Sequence, residues 1–187
     1  MAGTLTPTQL PLPERASRAL KDPKPGYLHA VGNPALLEEP LLGLLASRDC
    51  PGRILLDTLE RVPQWVSEGR VILSGFHSPL EQQVLRSVLR RNGRVVKVLA
   101  RGMGDYHPTA QEREPLTSGA MLVLTAHPYR VLRTTRETAL ARNRLVLALA
   151  TDLVIPHVEP HSRLAALLGE WGLDLSDSAD ALAGGPR

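Results

Sequence analysis

Five short apolar runs, separated by stretches of helical period, limit what this chain can fold into. They are "YLHAV" (residues 27–31), "RVILS" (70–74), "RVVKVLA" (94–100), "AMLVLTA" (120–126) and "DLVIPHV" (152–158). A strand with one wet face alternates apolar and polar residues, whereas these runs are apolar almost throughout, so both faces must be covered. Strands of that kind, joined by helices, build a parallel sheet between two helical layers. The expected fold is α/β: a Rossmann-like three-layer sandwich with a central, mainly parallel sheet of about five or more strands.

The connecting segments carry recognisable helix ends. Ser78 can cap a helix, with Pro79 at its first position and Glu81 completing a capping box; Asn92-Gly93 supplies its stop. Leu80, Val84, Leu85, Val88 and Leu89 form its apolar stripe. A second box, Thr134 with Glu137, opens the segment ending near Ala150, and a third helix is expected from Ser162 to Gly172. "LLDTLERVPQWVSEG" reads as a helix kinked or split by Pro63. Residues 35–48 read as one more helix. Residues 1–25 are proline-rich with little apolar period and read as an arm holding at most a short helix. The expected organisation is thus an arm over 1–25, one domain over 26–174 and a loose tail over 175–187.

Of the 187 residues 43% are hydrophobic and 22% charged, which is ordinary for a soluble globular protein. No apolar run reaches membrane-spanning length, and the N-terminus has no basic segment followed by an apolar block, so neither a membrane partner nor a secretory signal is expected. The lone Cys50 rules out an internal disulfide and fits a reducing cytoplasm, the expected location. The net charge of +3 does not by itself imply a polyanionic partner. Only Lys21, Lys24 and Lys97 among the 22 basic residues are lysines, and arginine's planar fork suits phosphate; a GC-rich genome would give the same bias.

In such sheets ligands bind beyond the C-terminal ends of the strands. That directs the search to Gly32-Asn33-Pro34, Gly75 to Ser78, Arg101 to Pro108, His127 to Arg133 and Pro160 to Arg163. At "SGFHSPLE" a helix N-terminus offers free amides, Gly75 admits a close ligand, and His77 and Ser78 can donate to a phosphate; equally, Ser78 and Glu81 can satisfy those amides themselves. "ARNRL" places Arg142 and Arg144 around Asn143, two apart and hence on different helix faces. His77, His107, His127 and His161 each follow a strand, but no pair has zinc-enzyme spacing and no acidic partner lies near, so no metal is expected. "VGNP" holds a single glycine of the dinucleotide fingerprint, and no cofactor is expected. There is no nucleophile elbow, P-loop or carboxylate pair, so no catalytic residue is nominated and binding is favoured over catalysis.

Three blocks resemble the DprA/Smf-type DNA-processing family of the SLOG superfamily. "VGNP" stands where that family has a glycine-serine-arginine turn, "VILSGFHSPLE" is similar to its "VVSGLARGID", and "RNRLVLALATDLVIPHVEPHSRLAAL" is similar to "RNRIIAGLSDAVLVVEA…SGSL.TA". The resemblance implies a homodimer that binds single-stranded DNA and hands it to a RecA-type recombinase. By position it nominates Gly32, Asn33, Ser74, Gly75, Arg142, Asn143 and Arg144, to which the loops add Phe76, His77, Ser78, Arg101, Ser162 and Arg163. A second reading is a SLOG-type protein binding a nucleotide or another phosphorylated small ligand, as a sensor or a nucleotide-processing enzyme. The glycine-rich "PGGxGTxxE" loop of its hydrolytic members is replaced here by "EPHSRLAAL".

Overall fold

Alternate residues of each central strand belong to opposite faces of one sheet, and each face is sealed by its own helices. The computed structural model describes residues 6–173. In chain order the elements are β1 (Thr8–Pro11), α1 (Glu14–Ala19), β2 (Tyr27–Gly32), a 3-10 turn (Pro34–Glu38), β3 (Leu41–Leu44), α2 (Gly52–Ser67), β4 (Val71–Ser74), α3 (Pro79–Arg90), β5 (Arg94–Val98), α4 (Ala110–Ser118), β6 (Met121–Thr125), α5 (Arg136–Leu149), β7 (Asp152–Val154) and α6 (Arg163–Glu170). The seven-stranded sheet runs β1-β2-β6-β5-β4-β3-β7. Strands β6, β5, β4, β3 and β7 are parallel, with Ile72 opposite Val95 and Val96 opposite Leu122. Leu41, Val71, Leu73, Val96, Leu122 and Leu124 face α1, α5 and α6, while Leu42, Ile72, Val95, Met121 and Val123 face α2, α3 and α4. This is the expected sandwich. Each fully buried aliphatic side chain contributes about 1.5–3 kcal/mol of transfer free energy.

Several expectations need correction. Residues 35–48 form the 3-10 turn and β3 instead of a helix. "LLGLL" is apolar at either period, Pro40 blocks a helix running through it, and pairing with both β4 and β7 decides for strand. The N-terminal stretch is not a free arm over its described part. β1 pairs antiparallel with β2 at the sheet edge, where Pro11 is tolerated, and α1 buries Ala16 completely against the α5 face. Helix α2 is continuous through Pro63, whose ring is exposed, so the hydrogen bond it cannot donate is lost on the solvent side. The box of α5 sits one residue later than expected, with Thr138 N donating to Thr135 Oγ1 at 3.2 Å and Thr135 N to Thr138 Oγ1 at 2.8 Å. The box of α3 and its Asn92 stop, with φ 55°, are as read from the sequence. The expected tail over 175–187 lies outside the described residues.

The decisive correction concerns β2. It runs antiparallel to β6, with His29 opposite Thr125 and Gly32 opposite Leu122, so its C-terminal end lies at the start of β6. The C-terminal ends of the five parallel strands therefore form one rim of the sheet, and the turn after β2 lies at the other. No helix among the described residues is long and apolar enough to cross a membrane.

Candidate functional site

At the end of β4, Ser74 is fully buried and its Oγ accepts a hydrogen bond from Phe76 N at 3.1 Å. That tight turn carries Phe76 at a φ of 48° and sends its ring into the core between the sheet and α3, 5% exposed. Phe76, nominated among the binding residues of this loop, is thus core. Glu81, 4% exposed, organises the rest. Its Oε2 accepts from His77 N at 2.8 Å and Ser78 N at 3.3 Å, while its Oε1 accepts from Ala46 N at 3.0 Å. Ser78 Oγ accepts from Glu81 N at 3.2 Å. The amides at the start of α3 are therefore engaged internally, and a carboxylate occupies the place an anion would take. His77 keeps an exposed ring.

Across Gly75 lies Arg142, 8% exposed, from the second turn of α5. A methyl group on Gly75 would come within 2.5 Å of Arg142 Cδ and Cζ. Asn143 Oδ1 accepts from Arg142 Nε at 2.8 Å and fixes the plane of the guanidinium. Its two Nη groups have no hydrogen-bond partner among the described residues. Burial pushes the Arg142 pKa below the ordinary arginine value and the Glu81 carboxylate opposes the shift; arginine stays protonated near neutral pH regardless. Here is a desolvated cation with unused donors, held between an inner carboxylate and a residue without a side chain.

The neighbouring loops complete the rim. After β3, Ser47 N donates to His157 O at 2.9 Å and Ser47 Oγ accepts from Glu159 N at 2.8 Å, tying this turn to the segment after β7. Arg48 beside it is exposed and without a partner among the described residues. A cavity of about 510 Å³ opens between Arg48, Cys50, Pro79 and His157. Burial raises the Cys50 thiol pKa, so the cysteine is not activated. After β5, Arg101 pairs with Asp105 at 2.6 Å. Beneath that loop, burial pushes the carboxyl of Glu112 up, but Lys97, at 2.6 Å, and the amide of Thr109, at 2.9 Å, outweigh it and hold the pKa below its usual range. Burial, and then that carboxylate, push the Tyr106 phenol up.

The nominated residues thus fall into groups. Ser74, Gly75, His77, Ser78, Arg142 and Asn143 gather around one point, and Arg101 stands on the adjacent loop. Ser162 caps α6 at the far edge, its Oγ accepting from Ala165 N at 3.1 Å, with Arg163 exposed beside it. Arg144 lies on another face of α5, bonded to Glu170 at 2.9 Å beside a cavity of about 680 Å³ that Lys21 and Trp171 also line. Gly32 and Asn33 are at the opposite rim, where Asn33 N donates to Met121 O at 3.0 Å and its Nδ2 to Gly119 O at 2.9 Å. Gly32-Asn33, which the resemblance places at the family's glycine-serine-arginine turn, thus stands away from the other nominated loops; the parallel strand that leads into the helix before β4 is β3, and Ala46-Ser47-Arg48 follows it.

A sequence model of the DNA recombination-mediator protein A family matches residues 4–166. Among solved structures, DNA processing protein A of Helicobacter pylori, described for its single-stranded DNA binding mode, is 22% identical with a TM-score of 0.71, over 92% of this chain and 80% of that one. The DprA of Streptococcus pneumoniae is likewise 22% identical with a TM-score of 0.71, over 97% of this chain and 69% of that one. No protein of curated function matches. The extent of the sequence match leads to one conclusion: the chain belongs to the DNA recombination-mediator protein A family.

Proposed function

We propose that this protein grips the phosphates of single-stranded DNA along the C-terminal rim of its parallel strands, in recombination or DNA uptake. The observation that carries this reading is Arg142, almost wholly buried, its guanidinium packed over Gly75 and its Nη donors without a hydrogen-bond partner among the described residues. A phosphate seated there receives charge-assisted hydrogen bonds in a poorly hydrated setting, where they are stronger than in water. Asn143 and Glu81 hold the donor in place, and exposed Arg48 and His77 stand at the same rim for a neighbouring phosphate. Binding, not catalysis, is the role this supports. Assembly as a homodimer and transfer of the strand to a RecA-type recombinase in the cytoplasm extend the same reading.

The test is fluorescence anisotropy with a labelled oligonucleotide at several salt concentrations. Affinity should fall with salt at a log–log slope of about −0.7 per phosphate contacted, and Arg142→Lys and Arg48→Ala should each weaken binding with the fold intact. The cavity beside Arg48 has the size of a small-molecule site, about 300–1,000 Å³, so mononucleotides belong in a parallel thermal-shift panel. Stabilisation by one mononucleotide, with oligonucleotides inert, would replace the DNA reading with a nucleotide-binding one.

A further inference from the structure

The loop between β6 and α5 carries features that phosphate gripping at Arg142 leaves unexplained. Within it Tyr129 is 53% exposed and Leu132 50% exposed. Arg130, Arg133 and Arg136 are all exposed, and none has a hydrogen bond or ion pair among the described residues. The loop is nevertheless held in place. Gly102 N donates to Val131 O at 2.6 Å and Val131 N to Pro128 O at 2.9 Å. The turn after β5 approaches so closely that a methyl group on Gly104 would lie 2.6 Å from Tyr129 O and 3.3 Å from Tyr129 Cδ1. The two glycines of "GMG" thus let one turn seat against the other, and a large aromatic ring is held half in water.

Other aromatic side chains near the rim are committed. Phe76 is core, Tyr106 is half-buried against Glu112, and Tyr27, though 48% exposed, packs edge-on against His29 with ring centroids 5.2 Å apart. Tyr129 keeps an open ring, flanked by three unpaired guanidinium groups: Arg130 and Arg133 on the loop, and Arg136 at the first position of the helix that bears Arg142. The geometry points to a base-stacking subsite: Tyr129 receives an unpaired nucleobase of the strand whose phosphates are held at Arg142, and Arg130, Arg133 and Arg136 carry the backbone onward past it. This rests on the single-stranded DNA reading above and adds to it a ligand chemistry, the flat face of a base. An aromatic platform accepts any base, so the subsite distinguishes unpaired from paired strands without reading sequence.

The experiment compares two single-stranded probes of equal length, an oligothymidylate and an abasic tetrahydrofuran backbone, on the full chain. Stacking of one base should make the wild type bind the oligothymidylate about tenfold more tightly than the abasic strand. Tyr129→Ala should abolish that preference while leaving abasic affinity and the salt slope unchanged, and Tyr129→Phe should retain it. Gly104→Ala, checked for folding by circular dichroism, should act in the same direction as Tyr129→Ala. Replacing Arg130, Arg133 and Arg136 together by alanine should flatten the salt slope by about 2 for both probes, from roughly 0.7 per lost phosphate contact. If Tyr129→Ala binds both probes like the wild type while Arg142→Lys weakens both, the stacking subsite is refuted and the phosphate reading stands. If the wild type binds neither probe, both are refuted.

Discussion

The contact between Gly75 and Arg142 can be tested by reversing the sign of one substitution. Gly75 lies outside the left-handed backbone region, so alanine is conformationally permitted there, and on entropy alone Gly75→Ala should stabilise by about 0.4–1 kcal/mol. The structure opposes this, because the new methyl would sit within 2.5 Å of Arg142 Cδ and Cζ. Carbon atoms pack at about 3.5–4.0 Å, so the guanidinium must retreat by on the order of 1 Å. It is 8% exposed and fixed by Asn143, so it has little room to do so. Overpacking of this kind costs about 1–3 kcal/mol, which lowers Tm by about 2–4 °C per kcal/mol for a chain of this size. In an Arg142→Ala background the obstacle is gone, and the same Gly75→Ala change should be neutral or stabilising. Urea denaturation of the four proteins of the cycle should give a coupling of about 1–3 kcal/mol. Additivity to within about 0.5 kcal/mol would mean that the two residues do not touch as described, and the phosphate site built on them would lose its basis.

Two other changes probe the surroundings. Glu81→Gln keeps one acceptor where the carboxylate served three backbone amides, so it should cost about 2–4 kcal/mol in urea denaturation and expose the Ala46 amide to faster hydrogen exchange; a loss below about 0.5 kcal/mol would refute the organising role. Burial holds the His127 imidazole pKa below its ordinary value, with the Thr138 carbonyl opposing, so the unfolded chain takes up the proton more readily. Stability should therefore be complete above about pH 6.5 and decline as pH falls from there through the folded value, a decline that His127→Asn should reduce in Tm measurements.

Much of the fold could be read because burial on two faces leaves a strong signature. The runs around Ile72, Val95 and Val123 are apolar at consecutive positions, which only a covered strand requires. Local caps were readable to within a residue: Ser78 and Glu81 form the expected box, whereas tandem threonines at 134 and 135 offered two starting points, and backbone packing chose the second. β3 was hidden because Leu41 to Leu45 carry no periodicity that separates a buried strand from a helix. β1 was hidden because its pattern is short and contains proline, and only the open edge of β2 gives it a partner. Strand direction was hidden entirely: nothing in "YLHAVGNP" distinguishes a parallel from an antiparallel neighbour.

That last ambiguity propagated into the site. A wholly parallel sheet has every turn after a strand on one rim, and antiparallel β2 breaks that premise. Correcting its direction removes Gly32 and Asn33 from the rim and shifts attention to residues 46–48, whose turn is tied to Glu81 through Ala46 N. The correction also explains a division of labour within "RNR". Two residues apart on a helix means different faces, so Arg142 turns to the rim while Arg144 turns to Glu170. Arg144 is paired within its own protein, while Arg142 spends only Nε, on Asn143, and leaves its Nη donors without a partner among the described residues. Nη groups without a partner on a mostly buried arginine gain from an outside acceptor, and this is the physical ground for proposing the anion at Gly75 and not at the amides of α3, where Glu81 and Ser78 already accept.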